Sequence, residues 1–337
     1  MPAMRIRALA AAARRGELQP FEYDSPPLGP HDALIRVRAC GICHSDVHMI
    51  DDDWRISRYP LVPGHEVVGE VVEAGDALEH LPPGTRVGVG WQRSSCLRCR
   101  DCLRGNEPHC PESRSVIGDG HGGFGDHLVV DGRFAFPLPA ALPTEVAGPL
   151  LCGGITVYSA LRHAGMGSGQ EIGVVGVGGL GHLAVQFAAR LGNRVTAFTT
   201  SQDKARAAEG LGAAAVVITR DGKVPKRLER PLDILVATAP APLDWNAYVN
   251  LLGTDGVLTF VAASAPATLR LDALLFRRRR VAGSLIGGRA EIAEMLELAA
   301  LHRIAPVVES FPMGEANAAV RKVRDNTVRF RAVLRVA

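Results

Sequence analysis

Four cysteines, at 96, 99, 102 and 110, fall in one short stretch with the spacing Cys-x2-Cys-x2-Cys-x7-Cys. Four thiolates brought to one point make a closed tetrahedral shell for a d10 cation and leave no position open to substrate, so the chemistry expected of Cys96, Cys99, Cys102 and Cys110 is structural zinc binding. An iron–sulfur cluster is the nearest competitor, because ferredoxin motifs also repeat C-x2-C steps. Arg98, Arg100 and Arg104 lie between the ligands and offset part of the negative charge of a tetrathiolate site.

A second set is open. Gly41-Ile42-Cys43-His44-Ser45-Asp46-Val47-His48 precedes Pro63-Gly64-His65-Glu66, and Cys152 follows much later. One His and two Cys are three protein ligands, the number held by a catalytic zinc that keeps its fourth position for water or substrate. Asp46 is placed to accept the other ring N–H of His65, which would fix the tautomer and raise the basicity of that ligand. Isolated Cys and His residues are more often buried structural ones, and Cys40 is read as a small buried hydrophobe of that kind.

The third candidate is Gly176-Val177-Gly178-Gly179-Leu180-Gly181, a G-x-G-x-x-G match that follows an apolar run and opens an amphipathic stretch. In that setting Gly176 permits the tight turn, Gly178 lets the backbone approach a pyrophosphate, and Gly181 packs helix on strand. The helix N-terminus then faces the phosphates. An NAD site wants an Asp or Glu about 20 residues on. Here the chain reads Thr199-Thr200-Ser201-Gln202 with no carboxylate before Asp203. Three hydroxyls followed by Lys204 and Arg206 suit the 2′-phosphate of NADP(H), which a carboxylate would repel. The alternative is that Lys204 and Arg206 only solvate the next helix.

These groups need a frame. The 337 residues suggest two domains. Residues 1–148 are rich in Val, Pro and Gly, with alternating runs at 33–38, 67–73 and 86–89 between turn signals, and read as a β-rich, barrel-like domain. From Cys152 the texture becomes strand–helix–strand, with buried strands at 172–177, 194–199, 214–218, 232–237, 257–262 and 281–285, and helices at 180–191 and 204–211. That is an open, mostly parallel α/β sheet. A helix at 291–302 and closing strands complete the first domain.

Composition narrows the class. Lys and Arg total 38 against 35 Asp and Glu, a net charge of +3, with 47% hydrophobic and 5% aromatic residues. No global field is available for nucleic acid or an anionic membrane, and no apolar run reaches the ~18 residues of a membrane span. The apolar stretch 8–13 is too short for a secretory signal, the segment reads instead as a first strand, Arg5–Leu9, and a turn, and the expected location is cytoplasmic.

Taken together, the motifs resemble the zinc-dependent medium-chain alcohol dehydrogenases over essentially the whole chain. The stretches 41–48, Val62-Pro63-Gly64-His65-Glu66, the four-cysteine lobe and Leu150-Leu151-Cys152-Gly153-Gly154-Ile155-Thr156-Val157-Tyr158 are all family-like. Gly176–His182 with Ala197-Phe198-Thr199-Thr200-Ser201, and the segment 281–288, look most like the cinnamyl-alcohol-dehydrogenase branch and its bacterial NADPH-dependent aldehyde reductases.

The resemblance implies a GroES-like catalytic domain, 1–149 with 289–337, and a doubly wound parallel Rossmann coenzyme domain, 150–288. It implies two zincs per chain, the catalytic one on Cys43, His65 and Cys152 with Glu66 close behind as an occasional exchange ligand. Ser45 takes the proton-relay hydroxyl position and His48 the distal relay position. His44 sits where the family contacts the coenzyme pyrophosphate, and Trp54 and Trp91 wall the substrate pocket. The implied reaction is hydride transfer between NADP(H) and an aldehyde/primary alcohol pair, with aromatic or medium-chain aldehydes suited to two tryptophans and a homodimer (or tetramer) as the assembly. The segment between Cys110 and Phe124 is shorter than in such reductases, which bears on substrate preference.

Alternatives are NAD-linked oxidation of simple alcohols, a zinc-independent quinone or enoyl reductase, a non-catalytic zinc/thiol redox sensor, and a nucleic-acid zinc protein. The last is disfavoured by the near-neutral charge. Arg277–Arg280 is read as a solvated helix end, and His121, His127, His163 and His182 as surface or hydrogen-bonding residues rather than ligands.

Overall fold

The computed structural model describes residues 4–262 and 266–336; the outermost residues of the 1–149 and 289–337 spans lie outside them. The chain divides into two compact units. One comprises the residues up to Cys152 with Gly288–Ala300 and those from Ala305 onward; the other is Gly153–Gly287 with Leu301–Ile304.

In the first unit a seven-stranded sheet runs in the order Val308–Pro312, Arg331–Arg335, Asp32–Ile42, Glu66–Ala74, Arg86–Val89, Ala135–Pro137, with His127–Asp131 also pairing onto Asp32–Ile42. An antiparallel hairpin, Arg5–Ala11 with Leu18–Asp24, joins it through the Leu9 N–H, which donates to the Phe124 carbonyl. Alternating apolar residues of these strands fill one core, from Ile35 and Val37 to Val67, Val87 and Val130.

Register places the site. Asp32–Ile42 and Glu66–Ala74 are antiparallel with Gly41 opposite Glu66, so the end of one strand (Cys43) meets the start of the next (His65). Arg331–Arg335 pairs on the other side, with Val333 opposite Gly41. Gly41 is obligatory there, because a Cβ would lie 1.9 Å from Glu66 Oε2.

Cys152 arrives from another direction. Helix Thr144–Pro149 packs so close to the sheet that a Cβ on Gly148 would lie 2.6 Å from the Glu66 carbonyl. Its continuation, Leu150–Gly154, is a π-helical turn that carries Cys152. Such turns recur at functional sites because the extra residue re-aims a side chain.

The second unit holds a six-stranded, all-parallel sheet in the order 215–218, 194–199, 171–175, 232–237, 252–260, 280–283. That is the 3-2-1-4-5-6 order of a doubly wound dinucleotide fold. Its inner strands are buried on both faces, which explains the unbroken apolar runs at Ile172–Val175 and Ile234–Ala237.

Two local expectations change. The C-terminal return contains a helix, Ala316–Arg324, as well as strands. Its buried Ala316, Ala319, Val320 and Val323 fall at helical spacing. Nor is Arg277–Arg280 simply a solvated helix end. Arg279 donates to the carbonyls of Leu252, Asn250 and Ala273, Arg278 forks onto Asp255, and Arg280 begins the edge strand.

Candidate catalytic metal centre and coenzyme loop

Cys43, His65, Glu66 and Cys152 present their ligand atoms within 4.8 Å of one another. The Sγ–Sγ separation is 3.9 Å, and His65 Nε2 lies 3.3 Å from each sulfur. A tetrahedral zinc with ordinary bond lengths has edges of about 3.8 Å (S–S) and about 3.6 Å (S–N). The donor set therefore fits zinc in both chemistry and spacing.

Asp46, fully buried, holds this arrangement. One of its carboxylate oxygens accepts from His65 Nδ1 at 3.1 Å and from the Gly64 N–H at 2.9 Å; the other accepts from the Cys43 N–H at 2.9 Å. Binding at Nδ1 leaves the His65 Nε2 lone pair facing the sulfurs. Cys43 is also the N-cap of helix His44–Asp51, its sulfur accepting the Ser45 N–H at 3.2 Å. Burial alone would push the Cys43 thiol up, but the Cys152 hydrogen bond and the His65 ring outweigh it, and its pKa falls well below the ordinary thiol range. Cys152 moves the opposite way, raised by that same hydrogen bond and by burial.

Behind the candidate ligands lies an ion pair between residues far apart in the chain. Arg331, which is 5% exposed, hydrogen-bonds the fully buried Glu66. Burial raises the Glu66 carboxyl to about 8 even against this neighbouring guanidinium. Its second oxygen, Oε2, is buried with no hydrogen-bond partner among the described residues, and a Glu66 carboxylate oxygen lies within 4.8 Å of the other three donors.

The remaining expected residues of the first unit surround this centre. Ser45 and His48 lie on the Cys43-capped helix, and His48 Nδ1 bonds Asp53 Oδ2 at 2.7 Å. Asp53 is one of three successive aspartates, Asp51-Asp52-Asp53, and only geometry selects the third. His44, in the first turn, has its ring pKa lowered by burial. Aromatic rings run continuously from His48 to Trp54 (5.2 Å), Trp91 (6.0 Å) and His65 (5.2 Å). Cys40 is fully buried, with its thiol pushed well up by desolvation, as expected of a packing residue.

The four-cysteine lobe closes on itself. Cys96 Sγ lies 3.5 Å from Cys110 Sγ and 3.9 Å from Cys102 Sγ, and the four sulfurs lie within 4.8 Å of one another. N–H groups of Cys99 and Glu112 donate to sulfur, the usual support of thiolate ligands. The Arg98 N–H leads in drawing the Cys96 thiol down to about 7, while burial pushes Cys102 up to about 12.

In the second unit, Gly176 has φ +92° and a Cβ on it would meet Ala239 Cβ at 2.9 Å, whereas one on Gly178 would meet nothing within 4 Å. A Cβ on Gly181 would lie 1.8 Å from the Gly176 carbonyl. Gly176 and Gly181 are thus confined by their neighbours, while Gly178 has open space beside it. His182 is buried and donates to the Gly178 carbonyl at 2.8 Å, bracing the turn. Gly179 and Leu180 complete that turn ahead of helix Gly181–Arg190. Thr199 is buried at its strand end and Thr200 is exposed. Ser201 caps helix Gln202–Gly210 by accepting the Lys204 N–H at 3.3 Å. Arg206 pairs with Asp203, which makes Lys204 the freer cation. Substituting Gly181→Ala is expected to weaken NADPH binding at least tenfold by titration calorimetry while leaving zinc content unchanged, because the helix start must withdraw from the turn.

Comparison with known proteins agrees with this geometry. Residues 29–140 match the alcohol dehydrogenase GroES-like domain and residues 179–300 the zinc-binding dehydrogenase family. An aldehyde reductase of Synechocystis sp. is 41% identical over 330 residues, covering 98% of both chains. Cinnamyl alcohol dehydrogenase 8 of Arabidopsis thaliana is 40% identical, over 98% of this chain and 94% of its own. A cinnamyl alcohol dehydrogenase of Sorghum bicolor superposes with TM-score 0.92 at 35% identity, covering 98% of both chains. One from Helicobacter pylori, solved with NADP(H), gives 0.91 at 29%, covering 99% of this chain and 98% of its own. The fold and the paired zinc sites define a zinc-dependent medium-chain dehydrogenase. The chain belongs to that family, in its cinnamyl-alcohol-dehydrogenase-like branch.

Proposed function

We propose that this enzyme moves a hydride between NADP(H) and an aldehyde/primary alcohol pair, working chiefly as a reductase of aromatic or medium-chain aldehydes. The observation that carries the reading is the Cys43–His65–Cys152 triad, oriented by buried Asp46 and flanked by the Trp54–Trp91 wall. Bound there, zinc polarises a carbonyl oxygen as a Lewis acid, and the nicotinamide supplies hydride.

The chain's own residues do the rest. Asp46 keeps Nδ1 of His65 occupied, so only Nε2 is offered as a ligand. The tryptophans exclude water from the reacting carbon and present flat apolar surface. Ser45 and His48 share one helix with Cys43, which fixes the relay relative to a ligand. The His48 side chain is 39% exposed, so a proton passed through Ser45 reaches solvent from its ring while Asp53 holds Nδ1.

The coenzyme preference follows from charge. The Thr199–Ser201 hydroxyls and Lys204 favour a 2′-phosphate. Thr200→Glu is expected to raise the KM for NADPH at least tenfold and to bring NADH rates to parity or above. The test of the whole reading is initial rates with NADPH and NADH on an aromatic aldehyde panel, alongside counted zinc. Equal or better rates with NADH in the wild type would refute the coenzyme assignment.

Substrates are small aldehydes and alcohols, and no helix among the described residues is long and apolar enough to cross a membrane. All seven cysteines are free thiols, which suits a reducing compartment, so we place the enzyme in the cytoplasm. The outer strand Arg280–Gly283 is exposed along its length, with Leu275, Phe276 and Leu285 nearby at 75%, 86% and 56% exposure. A sheet edge and apolar side chains side by side are what a second copy covers, and a homodimer through this edge is our reading. Phe276→Asp is expected to shift the sedimentation coefficient to that of a monomer.

A further inference from the structure

Within the first unit lies an open cavity of about 470 Å³ that is distinct from the metal centre's donor set. Its polar lining is basic: Arg58, Arg93, Arg114 and His121, against one carboxylate, Asp119. Asp119 is already committed, accepting from the Ser115 N–H at 2.9 Å, the Ser115 hydroxyl at 3.2 Å and Arg114 at 3.3 Å. Among the described residues, no carboxylate lies within ion-pair distance of Arg58 or Arg93. Arg93 is half-buried, and its guanidinium lies so close to the loop that a Cβ on Gly120 would sit 2.2 Å from Nη1. His121 Nδ1 is buried without a partner, and its ring leans on Tyr23 at 4.0 Å. The rest of the lining, Pro60, Leu61 and Ile117, is apolar.

The cavity is tied to the site by chain connectivity. Arg93 stands two residues past Trp91, in the short strand Gln92–Ser94 whose pairing register shifts between Gln92 and Ser94. The Trp91 carbonyl accepts from the Val116 N–H at 2.9 Å, next to Ile117 in the cavity wall. Arg58 stands four residues past Trp54.

We propose that this cavity is a substrate subsite that holds a carboxylate at the far end of the aldehyde, with Arg93 as its main contact and Arg58 in support. A half-buried guanidinium with no carboxylate partner, set against apolar walls, matches an apolar body that ends in an acid group. The preferred substrates are thus oxo acids whose ring or chain lies along Trp54 and Trp91. This rests on the reductase reading above, and it assigns the specificity of that site.

The test compares 4-carboxybenzaldehyde with benzaldehyde in the wild type, Arg93→Gln and Gly120→Ala. Gly120→Ala keeps the charge but displaces the guanidinium. The expected result is a KM at least tenfold lower for the charged aldehyde in the wild type. Both variants should lose that advantage while their benzaldehyde kcat and KM stay within about twofold. Equal KM values in the wild type, or parallel losses on both aldehydes, would overturn the proposal. Calorimetry with terephthalate, which cannot be reduced, supplies an arm independent of turnover: binding to the wild type and not to Arg93→Gln supports the subsite, and equal binding refutes it. Failure to reduce benzaldehyde would fall on the reductase reading, leaving calorimetry to decide the subsite. Non-competitive inhibition of benzaldehyde reduction by benzoate, with no preference for the charged aldehyde, would make the cavity a site for a free anion and overturn the substrate assignment.

Discussion

Cys152→Ser is expected to leave a folded protein with one zinc per chain and an aldehyde reductase rate at least a thousandfold below wild type. The magnitude follows from what is lost. Lewis-acid stabilisation of developing charge is worth several kcal/mol, and each ~1.4 kcal/mol is a factor of ten. The fold survives because Cys152 sits at a π-helical turn whose neighbours, Leu150, Leu151 and Ile155, are fully buried and keep their packing. Elemental analysis and far-UV circular dichroism on one preparation check both halves. A variant that keeps two zincs and wild-type rate would show that Cys43, His65 and Glu66 suffice.

Loss of the other zinc acts on stability. Cys102→Ser is expected to lower the melting temperature by at least about 10 °C and to make the chain prone to aggregation. Structural tetrathiolate zinc carries about 10–16 kcal/mol of binding free energy in isolated peptides, comparable to the whole stability of a domain. The lobe has little else to hold it. Leu103 is 75% exposed, and its ordered elements are two single-turn 3₁₀ helices, Cys102–Arg104 and Glu107–His109. Its firm attachment is Glu107, whose carboxylate accepts the Arg289 N–H. Differential scanning calorimetry with and without a chelator checks this. An unchanged melting temperature after removal of the second zinc would refute it.

Much of this was legible before any coordinates. The spacing of Cys96, Cys99, Cys102 and Cys110 is a local property, and local sequence closes the lobe. The Gly176–Gly181 turn is likewise contiguous, so its three glycines could be given separate roles from the motif alone. Strands buried on both faces announced the parallel sheet. What escaped notice depends on long-range pairing. Arg331 lies 265 residues from Glu66 in sequence, and within Arg331–Arg335 nothing but the sheet register marks its first side chain as buried. Asp53 and Asp52 are chemically identical, and only the αL conformation of Asp52 at the helix C-cap separates their directions. The helix Ala316–Arg324 hid behind short side chains, because two alanines and two valines make a thin apolar stripe.

The order in which the site's parts leave the ribosome is set by the same sheet. The seven candidate zinc ligands, Cys43, His65 and Cys152 with the four lobe cysteines, lie in the first 152 residues, so the donors are synthesised long before the coenzyme unit is complete. The strand that bears Arg331 is made after the whole of the second unit, yet it takes an interior place beside Asp32–Ile42. Until it inserts, Glu66 has no guanidinium to answer its charge, and the central sheet has a gap. A nascent or truncated chain therefore owns every metal ligand but not the electrostatic closure of the site. Competence to reduce an aldehyde thus waits on the docking of the strand Arg331–Arg335.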